Sequence, residues 1–468
     1  MFRPSSGLSI RFPSILSSCC SISSATTSNA LQNFCIDLSN RQLISLSQPP
    51  AFIENNFQSA NHLPNVIYAG FDPTSDSLHV GNLLIFSNLL RSLKHGCHAI
   101  ALIGGATALV GDPSGRDTDR LEIAEETINM NKEEIRRQLE RISENFYEMQ
   151  SDRETVKRLD IVDNAEWHSN MSSLEFIRIC RLFRVGDMLR LGAIKSRMRE
   201  NHGLPCSEFL YQIMQSYDWY QLTQKYNCYF QIGGSDQLGH LDAGYDYIRR
   251  RTKRLSAGIC LPLITDSSGN KLGKSVTDCK ESVWLSENKT SPYAFYQFFR
   301  QQPDNQIVPL MRYFSLKSLD DMNAILSEHE SNLGKWIAQE ELAKELTQLI
   351  HGADGLRLAQ QCSNALFKGS LADIERIPLQ TLEQLFGDAS IRRLSKSDLV
   401  TMGDLADRTR SDKMRGSILM KKGAFSLNGE KFVDPNAKIN FEKILLSGKN
   451  ATLVCWGKRK YQLIRWVD

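Results

Sequence analysis

The feature that most constrains this chain is one crossing, Tyr68-Ala69-Gly70-Phe71-Asp72-Pro73-Thr74-Ser75-Asp76-Ser77-Leu78-His79-Val80-Gly81-Asn82. A short apolar run, Asn65 to Tyr68, leads into it and reads as a buried strand. Leu83 to Lys94 follows, with Leu83, Phe86, Leu89, Leu90 and Leu93 at helical spacing. A strand that enters a helix through Gly, Pro, Asp and Thr gathers free backbone N–H groups at the positive end of a helix dipole. That is a natural seat for a phosphate. The stretch has neither the glycine spacing of a dinucleotide fingerprint nor the Gly-Lys-Ser/Thr of a P-loop. Thr74, His79 and Asn82 are therefore the side chains left to meet the phosphate.

From Asn65 onward strand and helix patterns alternate: Val66 to Phe71 strand, Leu83 to Lys94 helix, His98 to Leu102 strand, then the glycine-rich loop Gly104 to Arg116. Such alternation implies a parallel sheet with helices on both faces, and ligands at the carboxyl ends of its strands. Asp112, in that loop, either caps the turn before Pro113 or holds a cationic group. Residues 131 to 149 read as a charged amphipathic helix with a solvated face. Residues 158 to 206 read as an insertion between the halves of the sheet. Their arginines, Arg178, Arg181, Arg184 and Arg190 among them, either lie along helix surfaces or meet an RNA backbone.

The predicted helix Ser207 to Tyr226 aligns Tyr211, Gln215 and Asp218 on one face. Apolar neighbours such as Phe209, Ile213 and Trp219 bury it, and a buried Asp requires partners such as a bound hydroxyl or amine. Tyr229 to Ile232, a strand containing Gln231, leads into Gly233-Gly234-Ser235-Asp236-Gln237 and a helix from Leu238 to Arg250. An acidic residue there suits a pair of ribose hydroxyls. Leu261 to Thr265 reads as a last strand, opening into a polar loop. Its Lys271 and Lys274, three residues apart with Gly273 between them, can swing onto a polyphosphate; alone, such a turn is ordinary loop chemistry.

With 468 residues and 41% hydrophobic composition, several domains with a large core are affordable, and no run is long enough to span a bilayer. A net charge of +3 excludes indiscriminate polyanion coating but permits local basic patches. The 11 cysteines are scattered and include no Cys-x-x-Cys pair, so neither a disulfide framework nor a zinc site is expected. Residues 1–36 lack Asp and Glu, carry Arg3 and Arg11, and are rich in serine. That composition predicts a transit peptide, to the mitochondrial matrix first and a plastid second.

Taken together, Tyr68 to Asn82, Gly104 to Gly115, Tyr211 to Asp218, Gly233 to Gln237 and Lys271 to Ser275 resemble the ordered motifs of the class I aminoacyl-tRNA synthetases in their tyrosine-specific, bacterial and mitochondrial form. The resemblance spans about residue 65 to the end. It implies an α/β protein with a Rossmann-like parallel-sheet catalytic domain over 65–285, its helical connective insertion at about 115–228. After it would come a helical anticodon-binding domain (286–367), a linker (368–388) and an S4-like α+β RNA-binding domain (389–468). A lead-in (37–64) would precede the catalytic domain.

The implied chemistry is adenylation of tyrosine by ATP, followed by transfer to the 3′ end of tRNA-Tyr, with no covalent enzyme intermediate. By motif match Thr74, His79 and Asn82 would act on the phosphates, with Gly81 allowing close approach. Lys271, Lys274 and Ser275 would close over the pyrophosphate. Asp72, Asp236, Gln237 and Ile264 would lie on the nucleotide side. Mg²⁺ would arrive with ATP, and no protein-bound metal is implied. Tyr68 and Asp218 would take the substrate phenol, while Asp112, Tyr211, Gln215 and Gln231 would hold the rest of the amino acid. A pocket built for the hydroxyl discriminates against phenylalanine. Asn82 stands where the family most often has a second histidine. Leu238 and His240 replace its usual Trp and Asn, which leaves the role of Gln237 open. Lys413, Arg415, Lys421, Lys422, Lys458, Arg459 and Lys460 would supply salt-dependent tRNA affinity. A homodimer is implied by the likeness alone.

Overall fold

The computed structural model describes residues 29–114, 123–151, 156–199, 203–264, 282–367, 371–410, 415–457 and 460–467. Most of the predicted leader, the lysine loop with Lys271, Lys274 and Ser275, and Lys413, Lys458 and Arg459 lie outside the described residues. The first described helix, Ala30–Asn40, falls inside the stretch predicted as leader and is capped by the Asn29 side chain accepting from the Gln32 N–H. Leu31, Phe34, Cys35 and Leu38 recur at helical spacing and are fully buried in the main core. The lack of acidic residues before Asp37 had made these turns look like part of the leader.

Six strands form the main sheet: β1 (Leu46–Gln48), β2 (Val66–Phe71), β3 (His98–Ile103), β4 (Asp160–Asp163), β5 (Phe230–Gly234) and β6 (Ala257–Leu261). Their order is β1-β6-β5-β2-β3-β4. β2 to β6 run parallel and β1 caps the β6 edge antiparallel. The order in which strands are added reverses between β2 and β5. There the register holds only at Ile67↔Phe230 and Tyr68↔Gln231, whereas β2 and β3 stay paired from Val66↔His98 to Phe71↔Ile103. The sheet therefore parts beyond Tyr68 and Gln231, at the carboxyl ends of two strands and at the switch point where such sheets bind ligands.

Three expectations change here. The predicted insertion begins too early, because Asp160–Asp163 is itself a sheet strand beside β3; with Asp at both ends it carried no apolar run to announce it. The last strand stops at Leu261, before Pro262, which has no N–H to continue a ladder. The predicted linker, 368–388, contains the helix Leu371–Arg376 and most of the helix Leu379–Ser390. Their Ile374, Leu382 and Phe386 share a core with Tyr293, Cys362 and Leu453.

Beyond the sheet, Pro292–Arg300 packs on a long helical segment, Ile337–Phe367, broken at Gly352 where φ is 74°. Buried Arg41 and Arg91 tie this helical region to the sheet domain by donating to the Ser315 carbonyl. A five-stranded C-terminal sheet follows, with β7 (Ile391–Leu394), β8 (Phe425–Leu427), β9 (Glu430–Lys431), β10 (Ala451–Trp456) and β11 (Lys460–Trp466) in the order β7-β11-β10-β8-β9. Asn428 and Gly429, at φ 48° and 87°, make the tight β8–β9 turn that this dipeptide favours. Among the described residues no helix is long and apolar enough to cross a membrane.

Candidate active site

The parting of β2 and β5 opens a cavity of about 260 Å³. Tyr68, Asp72, Thr74, His79, Gly81, Asn82, Asp112, Tyr211, Gln215, Asp218, Gln231, Asp236, Gln237 and Ile264 all line it. Segments nearly two hundred residues apart thus converge, and every expected tyrosine-side residue is among them.

One wall is set by β2 and the helix Val80–Lys94. His79 is the residue before that helix and forms a reciprocal cap with Asn82: its Nδ1 accepts from the Asn82 N–H at 3.2 Å, and Asn82 Oδ1 accepts from the His79 N–H at 3.1 Å. An Nδ1 that accepts leaves the imidazole proton on Nε2, so His79 brings an N–H donor to the helix terminus. The segment after the lysine loop braces this corner. Val283 accepts from the Val80 N–H, the Leu285 N–H donates to Leu78, and Trp284 bridges to His79 with ring centroids 6.2 Å apart. Asn82 therefore shapes the site whatever it does to a phosphate, because it fixes the ring of His79.

A second group centres on Asp218. Its Oδ1 accepts from Trp167 Nε1 and His168 Nε2, both at 2.7 Å, and its Oδ2 accepts from Asn164 Nδ2 at 3.0 Å. Nearby, Tyr68 is 1% exposed and its hydroxyl has no hydrogen-bond partner among the described residues. Burial, then the Cys228 thiol and the Asp218 carboxyl, push the Tyr68 phenol well above its usual pKa. Asp218 is thus a carboxylate oriented by three donors, and it lines the same cavity as a protonated phenol with no partner among the described residues. A ligand hydroxyl can donate to the first and accept from the second.

The third group centres on Asp72 and Asp112. Asp72 accepts from Tyr211 Oη at 2.7 Å and from Thr107 Oγ1 at 2.8 Å. Gly104 has to be glycine here, since a Cβ on it would lie 1.8 Å from Asp72 Oδ1. Burial, then the charges of Asp72 and Asp112, raise the Tyr211 phenol well above its usual range, which keeps it a donor. Asp112 Oδ1 accepts from the Ser114 N–H at 2.8 Å and from His240 Nε2 at 3.0 Å, and its Oδ2 accepts from Gln237 Nε2 at 2.8 Å. Burial would raise the Asp112 pKa, but the charge and hydrogen bond of His240 with the Ser114 and Gln237 bonds hold it well below the usual carboxylate range. Of the two readings of Asp112, its bond from the Ser114 N–H is the turn cap. Gln237 also accepts from Gln215 at 3.2 Å. Asp72 and Gln237, expected toward the nucleotide, are thus bonded to residues expected around the amino acid.

Thr107, Asn164, Trp167, His168 and the His240 contact were not foreseen. Only His240 had a signal, as a departure from the family pattern. Among the expected RNA contacts, Arg415, Lys421 and Lys422 are exposed on the C-terminal unit, and Lys460 opens β11. None of these lines the cavity. Among the described residues no cluster of His, Cys, Asp and Glu is arranged to hold a metal ion.

A parallel sheet parted at its switch point, with a histidine-capped helix at the opening, is where comparison with known proteins becomes informative. The family described as tRNA synthetases class I (W and Y) matches residues 60–368. The chain belongs to that class. It is 38% identical over 411 residues to the mitochondrial tyrosine–tRNA ligase of Drosophila melanogaster, covering 86% of this chain and 87% of that protein. It is 34% identical to the mitochondrial tyrosine–tRNA ligase of Homo sapiens over 413 residues, 86% of this chain and 85% of that one. A C-terminally truncated mitochondrial tyrosyl-tRNA synthetase from Aspergillus nidulans superposes with a TM-score of 0.64 at 28% identity, covering 71% of this chain and 94% of that structure. Within its class the chain belongs to the tyrosyl-tRNA synthetases.

Proposed function

We infer that the chain is a tyrosine–tRNA ligase working in the mitochondrial matrix. The observation that carries the substrate is a buried Tyr68 hydroxyl with no partner among the described residues, in the same cavity as the oriented Asp218 carboxylate and His79. The substrate phenol donates to Asp218 and meets Tyr68. Its ammonium lies against Asp112, Tyr211 and Gln215, with Gln231 beside it. Asp72 and Gln237 support this end through Tyr211, Asp112 and Gln215.

In the first step a tyrosine carboxylate oxygen bonds to the α-phosphorus of ATP, the bond to the β-phosphate breaks, and pyrophosphate leaves. In the second, the 3′-terminal ribose hydroxyl of tRNA-Tyr attacks the tyrosyl carbonyl and AMP leaves. ATP enters as its Mg²⁺ complex, with the ion held chiefly by phosphate and water. Thr74 and the Nε2–H of His79 bond to phosphate oxygens at the helix terminus, Gly81 lets the chain approach, and Asn82 keeps His79 in its rotamer. Asp236 takes the ribose and Ile264 borders the nucleotide. Lys271, Lys274 and Ser275 close over the leaving pyrophosphate. Rate comes from positioning and from charge stabilisation at the phosphoryl centre.

The helical region after residue 286 reads the anticodon in this account. The C-terminal sheet is an S4-like module whose Lys413, Arg415, Lys421, Lys422, Lys458, Arg459 and Lys460 grip the tRNA backbone. A second copy covers the solvent-facing Leu174, Ile177, Val185 and Met198 of the helical insertion, making a homodimer. ATP–pyrophosphate exchange tests the reading. Exchange that depends on tyrosine, and is absent with tryptophan or with neither amino acid, is expected. Exchange driven by tryptophan, or none with tyrosine, overturns it.

A further inference from the structure

His240 occupies a place that the reaction itself does not explain. It is 3% exposed, on the helix Leu238–Thr252, where the family pattern has Asn. Its Nε2 lies 3.0 Å from Asp112 Oδ1 and 3.0 Å from Ser114 Oγ. Its Nδ1 is buried with no hydrogen-bond partner among the described residues. Facing a carboxylate oxygen, Nε2 has to carry the proton, and a buried Nδ1 without a partner costs free energy that the site tolerates. The ring also packs against Tyr211, with centroids 5.2 Å apart. One imidazole therefore touches both Asp112 and Tyr211, while Gln237 holds the other Asp112 oxygen.

We propose that His240 is a positioning residue for the ammonium group of the amino-acid substrate, fixing the plane of the Asp112 carboxylate and the ring of Tyr211 so that both face the cation. This rests on the reading that Asp112 and Tyr211 bind the ammonium. The physical basis is pre-organisation. A carboxylate pinned from two segments, by His240 and Gln237 after β5 and by the Ser114 N–H of its own loop, has little rotamer freedom left to lose on binding. Asn at this position has a shorter side chain and no ring to buttress Tyr211, so the histidine couples two ligands of one charge.

The test uses the full-length protein and two competitive inhibitors of tyrosine-dependent pyrophosphate exchange. Tyramine carries the phenol and the ammonium; 3-(4-hydroxyphenyl)propanoate carries the phenol without the ammonium. His240→Leu fills the volume but donates nothing, and His240→Asn keeps an N–H. His240→Leu is expected to raise the tyrosine KM and the tyramine inhibition constant by about 10-fold or more, the scale of a charge-assisted hydrogen bond. Inhibition by the propanoate and the KM for ATP should move by less than about two-fold, and His240→Asn, which keeps an N–H but loses the ring against Tyr211, should recover only part of the tyramine loss. Asp112→Asn is measured alongside. If it weakens tyramine selectively while His240→Leu does not, the proposal fails and the reading of Asp112 stands. If Asp112→Asn leaves tyramine unmoved, that reading fails and the proposal with it. Equal weakening of both inhibitors by His240→Leu marks a merely structural histidine and overturns the proposal. Should the leucine variant not fold, His240→Gln enters the same comparison.

Discussion

Tyr68→Phe separates stability from function in opposite directions. The Tyr68 ring is 1% exposed and lies 6.0 Å from the Trp219 ring, while its hydroxyl has no partner among the described residues. A buried hydroxyl in that state costs about 1–3 kcal/mol. Deleting it removes no hydrogen bond within the described protein and keeps the ring contacts. Folding stability should therefore hold or rise by up to about 1 kcal/mol, a gain of about 1 °C in the melting temperature of a protein this large. The same change removes one neutral hydrogen bond to the substrate phenol, worth about 0.5–1.5 kcal/mol, so kcat/KM for tyrosine should fall roughly 2–12-fold. Preference for tyrosine over phenylalanine should narrow, because one buried group no longer waits for a hydroxyl. Thermal melting without ligand, and pyrophosphate exchange with tyrosine, phenylalanine and ATP varied in turn, read all three. A stability loss of about 2 kcal/mol or more, or an unchanged kcat/KM for tyrosine, would refute the reasoning.

Three other outcomes follow from the geometry. Asp218→Ala strands the Trp167 and Asn164 donors and the substrate phenol, so tyrosine kcat/KM should drop by about 10²-fold or more with little change in the KM for ATP; equal losses for both count against its role. Gly104→Ala puts a methyl 1.8 Å from Asp72 Oδ1, the oxygen that accepts from Thr107, so the carboxylate that holds Tyr211 through Oδ2 must shift. About 1–3 kcal/mol of stability and most tyrosine activation should be lost, and near-normal exchange by this variant would contradict the packing. His351 has its pKa lowered to about 3, by burial first and then by the Arg141 charge. A depressed histidine value contributes stability that is present above its ordinary pKa of 6.5 and is lost as pH falls toward 3. His351→Leu should thus remove up to about 1.4 kcal/mol per pH unit from the acid slope of urea-unfolding stability below pH 6.5, and an unaltered slope would sink the assignment.

Local periodicity announced the helix Val80–Lys94, and strand-loop-helix alternation announced the parallel sheet, because each is written in adjacent residues. β4 was hidden because four residues, Asp-Ile-Val-Asp, carry too little apolar pattern to stand out. The helices over 371–376 and 379–390 are hidden in the sequence because Gly369, Pro378 and Gly387 look like breakers. Yet Pro378 only precedes a helix start, where a missing N–H costs nothing. In the site, Tyr211, Gln215 and Asp218 could be grouped because they share a helix face. Asn164, Trp167 and His168 could not be attached to Asp218, which lies some fifty residues away and is joined to them only by the fold. The role of Gln237 was open because Leu238 and His240 depart from the family pattern, and its bonds to Asp112 and Gln215 are long-range and so not legible in the sequence.

The most direct test of the account is the structure of this protein crystallised with a non-hydrolysable tyrosyl-adenylate analogue. The account predicts the phenol oxygen within hydrogen-bond reach of Tyr68 and Asp218, the ammonium at Asp112, and the phosphate-mimicking group at His79, all within the cavity between β2 and β5. An analogue bound outside that cavity, or one with its phenol toward His79 and its adenosine toward Asp218, would contradict it.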